Sequence, residues 1–122
     1  MSRLAAACVV FVLFSAGCGG SAKQAETVPG GDAGRGESLI VDYGCGSCHT
    51  IRGVDGADGR VGPKLDDMDE RVYIAGQLEN TPENLVRWIV DPKSVEPDTV
   101  MPDLGVTSSQ ARDIAAYLYE RT

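Results

Sequence analysis

The sequence predicts an all-α fold with three main helices joined by long loops. Apolar residues recur at helical spacing in three segments, each preceded by a side chain that caps helices well, and strand-like alternation is absent. The chain has 122 residues, enough for one modest domain. Its formal net charge of −7 argues against nucleic-acid binding, because phosphate contacts need clustered Lys and Arg. An acidic surface can attract a basic protein partner or simply keep the domain solvated.

The first segment, residues 1–17, has the pattern of a signal peptide. A short basic start precedes an apolar run from Leu4 to Phe14, and small residues follow. The run is about half as long as a membrane-spanning helix requires. We therefore expect export to the periplasmic or outer cell-surface side of a bacterial membrane.

The residues from Phe14 to Cys18, FSAGC, resemble the lipobox of bacterial lipoproteins. The resemblance implies cleavage before Cys18 and acylation of that cysteine, which would anchor the chain stably because more than one acyl chain is involved. Ser15 departs from the usual Leu. The alternative is an ordinary cleavage near Gly17 that leaves a free, oxidisable thiol.

Residues 18–31 begin with the expected anchor Cys18 and continue with mostly small and polar residues and Gly pairs at both ends, which is typical of a flexible tether. We expect the folded domain to span residues 32–122. Asp32 can cap a first helix that runs to about Tyr43. Gly34 and Gly36 in that helix would allow close approach by the last helix.

The motif Cys45-Gly-Ser-Cys48-His49 follows the first helix and has the spacing of c-type haem attachment. In such a site two thiols bond to the haem vinyl groups and the adjacent imidazole binds the iron. His49 is the only histidine in the chain, as a single proximal ligand requires. We therefore expect one covalent haem c held by Cys45, Cys48 and His49.

Three other interpretations of the cysteine pair compete with haem. A zinc site needs four ligands, and the chain offers neither a second Cys pair nor a second His. A thioredoxin-like pair should follow a strand, whereas Leu39, Ile40 and Tyr43 have the spacing of a helix face. A chance match is the third alternative.

The sixth iron ligand decides the class of function, since Met gives an electron carrier and an open position invites ligand or peroxide chemistry. Met68 lies nineteen residues after His49 in a charged stretch, too near to wrap to the opposite haem face. Met101 lies fifty-two residues after His49, on a loop that Pro102 stiffens. We expect Met101 to be the ligand; the alternative is a core side chain on a loop.

Two further helices are predicted downstream. Thr81 as N-cap with Pro82 at the first position begins a middle helix, which ends by Asp91-Pro92. A capping box from Thr107 to Gln110 begins the last helix. The last helix carries one apolar stripe that can pack on the first helix: Ala111, Ile114, Ala115 and Leu118.

Together, CGSCH, GPKL (62–65), NTPENLVRWIVDPKSVEPDTVMPDLG (80–105) and AAYL (115–118) resemble class I cytochrome c. Within that family the likeness is to the cytochrome c domain fused to subunit II of some haem-copper oxidases. The resemblance implies a helical fold wrapped around the haem. It also implies that the Pro63 carbonyl accepts the ring N–H of His49, that Leu65 packs on the haem, and that Arg71 and Trp88 lie near the propionates.

We accordingly expect an electron-transfer protein and not an enzyme: a monomeric one-electron carrier that serves a membrane oxidase or reductase complex. The chain holds no cupredoxin domain and no membrane hairpin, so a separately tethered version of the oxidase domain is expected. A haem peroxidase would need an open iron site and a distal acid or base. A gas or redox sensor would need a labile Met101 and an output domain.

Overall fold

A computed structural model describes residues 27–121 of the chain. The predicted signal peptide, the predicted lipid attachment at Cys18 and most of the predicted tether lie outside the described residues. Within residues 27–121, no helix is both long enough and apolar enough to cross a membrane.

Helices dominate the described chain, which confirms the predicted all-α class. The elements, in chain order, are α1 (Ala33–Asp42), a 3₁₀ turn (Cys45–Ser47), a second 3₁₀ turn (Met68–Glu70), β1 (Tyr73–Ile74), β2 (Leu78–Glu79), α2 (Pro82–Val90), α3 (Pro92–Val95) and α4 (Ser108–Glu120).

The hairpin of β1 and β2 departs from the expectation that no strand would form. It is antiparallel and pairs Tyr73 with Glu79 and Ile74 with Leu78. Its turn holds Ala75 and Gly76 at positive φ, 51° and 69°, as a type I′ turn requires. Each strand has two residues, too few to produce a detectable alternation in the sequence.

The predicted starts of the three main helices are confirmed. Asp32 caps α1, and Thr81 caps α2 with Pro82 in its first turn. Thr107 and Gln110 form the predicted capping box at the start of α4. Asp91 ends α2 and caps the single turn of α3, a helix that the sequence pattern does not predict.

The close contact between α1 and α4 depends on Gly36. A Cβ on Gly36 would lie 2.0 Å from the carbonyl oxygen of Asp113, so only glycine fits there. The same expectation for Gly34 is wrong, because a Cβ at that position would meet only the capping carboxylate of Asp32, at 3.3 Å. Gly31 takes that role instead, since its Cβ would lie 2.6 Å from the Arg112 carbonyl oxygen.

A polar cluster crosses the same interface. Asp113 on α4 is 4% exposed, and its carboxylate accepts bonds from Arg35 Nε at 3.0 Å and Arg35 Nη2 at 3.1 Å. The backbone N–H of Asp32 donates to the same carboxylate at 2.8 Å. The hydrogen bonds from Arg35 hold the pKa of Asp113 below its usual range. The cluster thus ties the first residues of α1 to the middle of α4.

Helix α4 is buried on more sides than one stripe predicts. The four residues of the predicted stripe are all buried, at most 4% exposed. The α4 residues packed against Gly36 of α1 are nevertheless Asp113 and Tyr117, and Tyr117 and Tyr119 are each 1% exposed. The Tyr117 hydroxyl donates to the Arg52 carbonyl at 2.9 Å, and that of Tyr119 donates to Asn80 Oδ1 at 2.6 Å. α4 therefore lies at the centre of the domain, with α1, α2 and the loops packed around it.

The packed domain begins a few residues before the predicted boundary at residue 32. Val28 is 9% exposed and belongs to the hydrophobic core, and Gly31 N–H donates to its carbonyl at 3.0 Å. The sequence predicts a tether here because a single Val among Gly and Pro carries no periodic signal.

Candidate haem-binding site

The Cys45–His49 segment forms a tight turn directly after α1. Gly44, at φ 67°, reverses the chain in the left-handed region, and the 3₁₀ turn follows. The N–H of His49 donates to the Cys45 carbonyl at 3.0 Å, which closes the turn. Cys45 and Cys48 are free thiols and half-buried. The two thiols and the imidazole are therefore held in one compact turn.

Burial raises the pKa of the Cys45 thiol above its ordinary value. The nearby Cys48 adds to this effect to a smaller degree. Cys45 is accordingly a neutral thiol at pH 7 in the folded, haem-free chain.

The loop after the motif returns along it and is fixed by backbone hydrogen bonds. The N–H of Gly59 donates to the Gly46 carbonyl at 3.0 Å, and the N–H of Gly62 donates to the Cys48 carbonyl at 2.8 Å. An isolated antiparallel bridge pairs Thr50 with Asp58. These bonds give an irregular segment a defined path beside His49.

The imidazole of His49 is oriented by the Pro63 carbonyl. Its Nδ1 lies 2.7 Å from that oxygen. Because a carbonyl can only accept, Nδ1 carries the proton and Nε2 keeps its lone pair in the neutral ring. This arrangement is the one that metal-ligating histidines use to fix ring orientation and strengthen donation.

Gly62 packs directly against the same ring. A Cβ on Gly62 would lie 2.3 Å from His49 Cε1 and 2.7 Å from Nδ1, so any side chain would displace the imidazole. The glycine before Pro63 therefore leaves the space that the ring occupies.

The two methionines after the motif occupy different environments. Met68 is 4% exposed and belongs to the hydrophobic core, in the second 3₁₀ turn. Met101 is half-buried on the loop between α3 and α4, where its N–H donates to Thr99 Oγ1 at 3.2 Å.

The other predicted haem neighbours lie on three segments. Leu65 is half-buried against the core, and its N–H donates to the Thr50 carbonyl at 2.9 Å. Arg71 is half-buried, and its guanidinium donates to the Lys64 carbonyl, beside Pro63. Trp88 lies on α2, half-buried against the core.

The residues present fit a covalently attached haem. Two half-buried thiols share one turn with an imidazole whose Nε2 is free to donate, and Gly62 leaves room for that ring. Among residues 27–121, no group of three or more His, Cys, Asp or Glu side chains could hold a bare metal ion.

A helical domain with this turn defines the class as a c-type cytochrome, and the family comparison agrees. The sequence model of the cytochrome c family matches residues 33–121. The chain therefore belongs to the cytochrome c family, whose domain implies covalently bound haem c and electron transfer.

Its curated relatives are longer proteins. The chain is 37% identical over 87 residues to cytochrome c oxidase subunit 2 of Alkalihalophilus pseudofirmus, covering 70% of this chain and 25% of that protein. It is 41% identical over 64 residues to the subunit 2 of Bacillus sp. strain PS3, covering 51% and 18% respectively. The Bacillus subtilis subunit 2 is 33% identical over 89 residues, covering 71% and 25%. The chain thus spans a quarter or less of each relative's length.

Sequence reasoning did not assign several residues that shape this site. Asn80 donates through Nδ2 to the carbonyls of Met68 at 2.7 Å and Arg71 at 2.9 Å, so it fixes the backbone at Arg71. Its position directly before the α2 cap made it look like loop. Gly62 belongs to the GPKL motif, and its position directly before Pro63 was the one sequence signal for its role beside His49.

Proposed function

We propose that this protein is a membrane-tethered one-electron carrier with a single c-type haem ligated by His49 and Met101. We further propose that it exchanges electrons with a respiratory complex such as a terminal oxidase. When bound, haem iron supplies reversible one-electron oxidation and reduction.

His49 is the proximal ligand in this proposal. The bond from Nδ1 to the Pro63 carbonyl leaves Nε2 as the donor atom and increases its basicity. Gly62 permits this ring position, because the ring fills the space where a Cβ would stand. Since the chain has one histidine, it can hold one haem of this type.

Met101 is the distal ligand, and the burial of Met68 is the observation that carries the assignment. At 4% exposure among core side chains, the Met68 sulfur is already packed by protein. Met101 is the remaining methionine after the motif, and its loop is separate from the segment that carries His49. A thioether favours the ferrous state and raises the reduction potential.

Three side chains complete the pocket. Leu65 would cover a bound haem with apolar surface, which would lower the local dielectric constant. Arg71, held by Asn80 and Lys64, offers a cation for a propionate. The indole of Trp88 forms no hydrogen bond within the described part of the chain, so its N–H is available to a second carboxylate.

The ligation is tested by Met101→Ala in the intact haem protein. We expect loss of the far-red sulfur-to-iron band, a lower midpoint potential and rapid carbon monoxide binding by the reduced form. Met68→Leu is the matched control, because it conserves volume in the core and should change none of these readings. If Met68→Leu alone removes the band, the assignment is reversed. If neither variant changes it, a peroxidase or sensor with an open site becomes the better hypothesis.

The likeness to oxidase subunit 2 supports a terminal oxidase as partner. Crosslinking of the native membrane fraction, followed by identification of the crosslinked subunits, tests this partner directly. Recovery of an unrelated reductase in place of an oxidase would overturn it.

The lipobox-like FSAGC sequence supports the tether. The intact mass of membrane-extracted protein should correspond to an acylated chain that begins at Cys18. Cys18→Ser should release the haem domain from the membrane, and membrane retention of that variant would contradict the anchor.

A further inference from the structure

The loop that carries Met101 has few backbone hydrogen bonds of its own. Between α3 and Met101, the N–H of Thr99 donates to the Glu96 carbonyl at 3.0 Å. Pro97 and Pro102 have no N–H to contribute. Most of the remaining bonds that hold this loop come from side chains.

Thr99 accepts two of these bonds, one through its side-chain hydroxyl and one through its backbone carbonyl. Its Oγ1 accepts the N–H of Met101 at 3.2 Å, and its carbonyl accepts Lys93 Nζ at 3.2 Å. Lys93 belongs to α3, so the second bond joins the loop to a helix. The backbone direction at Met101 is therefore set through Thr99.

Glu96 anchors the other end of the same loop. Its Oε1 accepts the N–H of Asp98 at 3.2 Å, and its Oε2 accepts Gln77 Nε2 at 2.8 Å. Gln77 follows the hairpin turn, so this carboxylate bridges the hairpin and the Met101 loop. With Glu96 fixed, movement at Met101 is limited mainly by the bonds of Thr99.

We infer that Thr99 and Lys93 are positioning residues for Met101 and control how often its loop opens. The inference rests on the proposed ligation by Met101. Thr99 and Lys93 lie outside the hydrophobic core, so their bonds add little to global stability. The opening of one loop, in contrast, depends on the few bonds that hold that loop.

The test uses the haem-loaded protein with Thr99→Val, which keeps the side-chain shape and removes the hydroxyl, and with Lys93→Met, which removes the ammonium group. Each variant should raise the rate of carbon monoxide binding by the reduced form about three- to tenfold, the effect of one modest hydrogen bond. On heating, the far-red band should disappear at a lower temperature in each variant than in the wild type. The denaturant midpoint of the helices should stay unchanged.

Two controls separate positioning from simple destabilisation. Thr99→Ser keeps the hydroxyl and should retain the wild-type rate. Arg112→Met removes a charge from an exposed side chain on α4 and should also leave the rate unchanged. Wild-type rates in both Thr99→Val and Lys93→Met would overturn the inference, as would rate changes that follow a lowered denaturant midpoint. If Met101→Ala keeps the far-red band, the proposed ligation has failed instead.

Discussion

Two regions of this molecule are held together in different ways. The helix frame, made of α1, α2 and α4, buries side chains against one another: Ala111, Ile114 and Leu118 are at most 4% exposed. The site loops, residues 43–65 and 96–106, follow paths set by backbone and side-chain hydrogen bonds, and His49 and Met101 in them are only half-buried. The frame is thus stabilised by its own side chains, whereas the site loops leave their functional side chains open to a cofactor.

Tyrosine hydroxyls join the two regions. Tyr43, at the start of the site loops, donates to Gln110 Oε1 on α4 at 3.0 Å. The Tyr117 hydroxyl, on α4, donates to the carbonyl of Arg52 in the site loops. Gly53 lies beside it, and a Cβ there would stand 2.8 Å from the Tyr117 oxygen. Burial raises the pKa of Tyr117, so the hydroxyl stays protonated as a donor well into alkaline pH.

The strongest way to separate the regions is to remove haem attachment. Cys45→Ala combined with Cys48→Ala should abolish covalent haem completely, as judged by acid-organic extraction. The site loops would then lack their largest apolar neighbour, so we expect the cooperative thermal transition to be lost in calorimetry. A compact, cooperatively unfolding haem-free domain would contradict this. It would show that the helix frame keeps the site loops folded in the absence of haem.

The frame itself should break at Gly36. Gly36→Ala would force the Asp113 carbonyl away, and we expect a loss of about 3 kcal/mol in the free energy of unfolding, measured by denaturant titration of the haem-loaded protein. Gly34→Ala on the same helix is the control. It meets only the Asp32 side chain and should be neutral or stabilising by up to about 1 kcal/mol. Equal losses in both variants would contradict the packing argument.

The Arg35–Asp113 cluster predicts how the frame responds to acid. Because the pKa of Asp113 is lowered on folding, its contribution is present above its unfolded-state pKa, about 3.9, and is lost as pH falls through the lower folded value. Asp113→Asn should lower the melting temperature by a few degrees at pH 7, and the difference from wild type should shrink below about pH 4. Asp42→Asn, at an exposed position, should show no such convergence. A difference that stays constant with pH would contradict the cluster's role.

The smallest effect is expected outside both regions, in the hairpin turn. Ala75 is held at φ 51°, which costs a non-glycine residue about 1–2 kcal/mol, partly offset in a glycine variant by greater unfolded-state entropy. Ala75→Gly should therefore stabilise by up to about 1 kcal/mol. Gly76→Ala, at φ 69°, should destabilise by about 1 kcal/mol in the same thermal assay. Opposite signs would show that the turn is not in its left-handed form.

The difference between the helix frame and the site loops also explains which parts of the structure could be predicted from the sequence. Caps at Asp32, Thr81 and Thr107 could be predicted because capping is local chemistry with a fixed residue spacing. The haem motif was equally clear, since its three residues are adjacent in the chain. Burial of Asp113 was missed because an Asp beside an apolar stripe looks solvent-exposed until its partner, Arg35, is brought from the other end of the chain.

The site loops were the less predictable region for a related reason. Their paths depend on pairs such as Gly62 with Cys48, and no periodic pattern reveals which backbone groups will meet. The hydrogen bonds of Glu96 and Thr99 also could not be predicted, because a Glu or Thr in a loop gives no sign of whether its side chain will find a partner. The role of Gly62 became visible only once the position of the His49 ring was known.

The large sequence separation between Asp32 and Asp113 limits the order in which the chain can fold. The two residues are 81 positions apart, so the helix frame cannot close until nearly the whole chain has emerged. The Cys45–His49 segment is complete long before that point. During this interval α4 is not yet available to pack beside the loop that begins with the two thiols. The topology therefore leaves the two thiols uncovered by α4 until the last helix closes the frame.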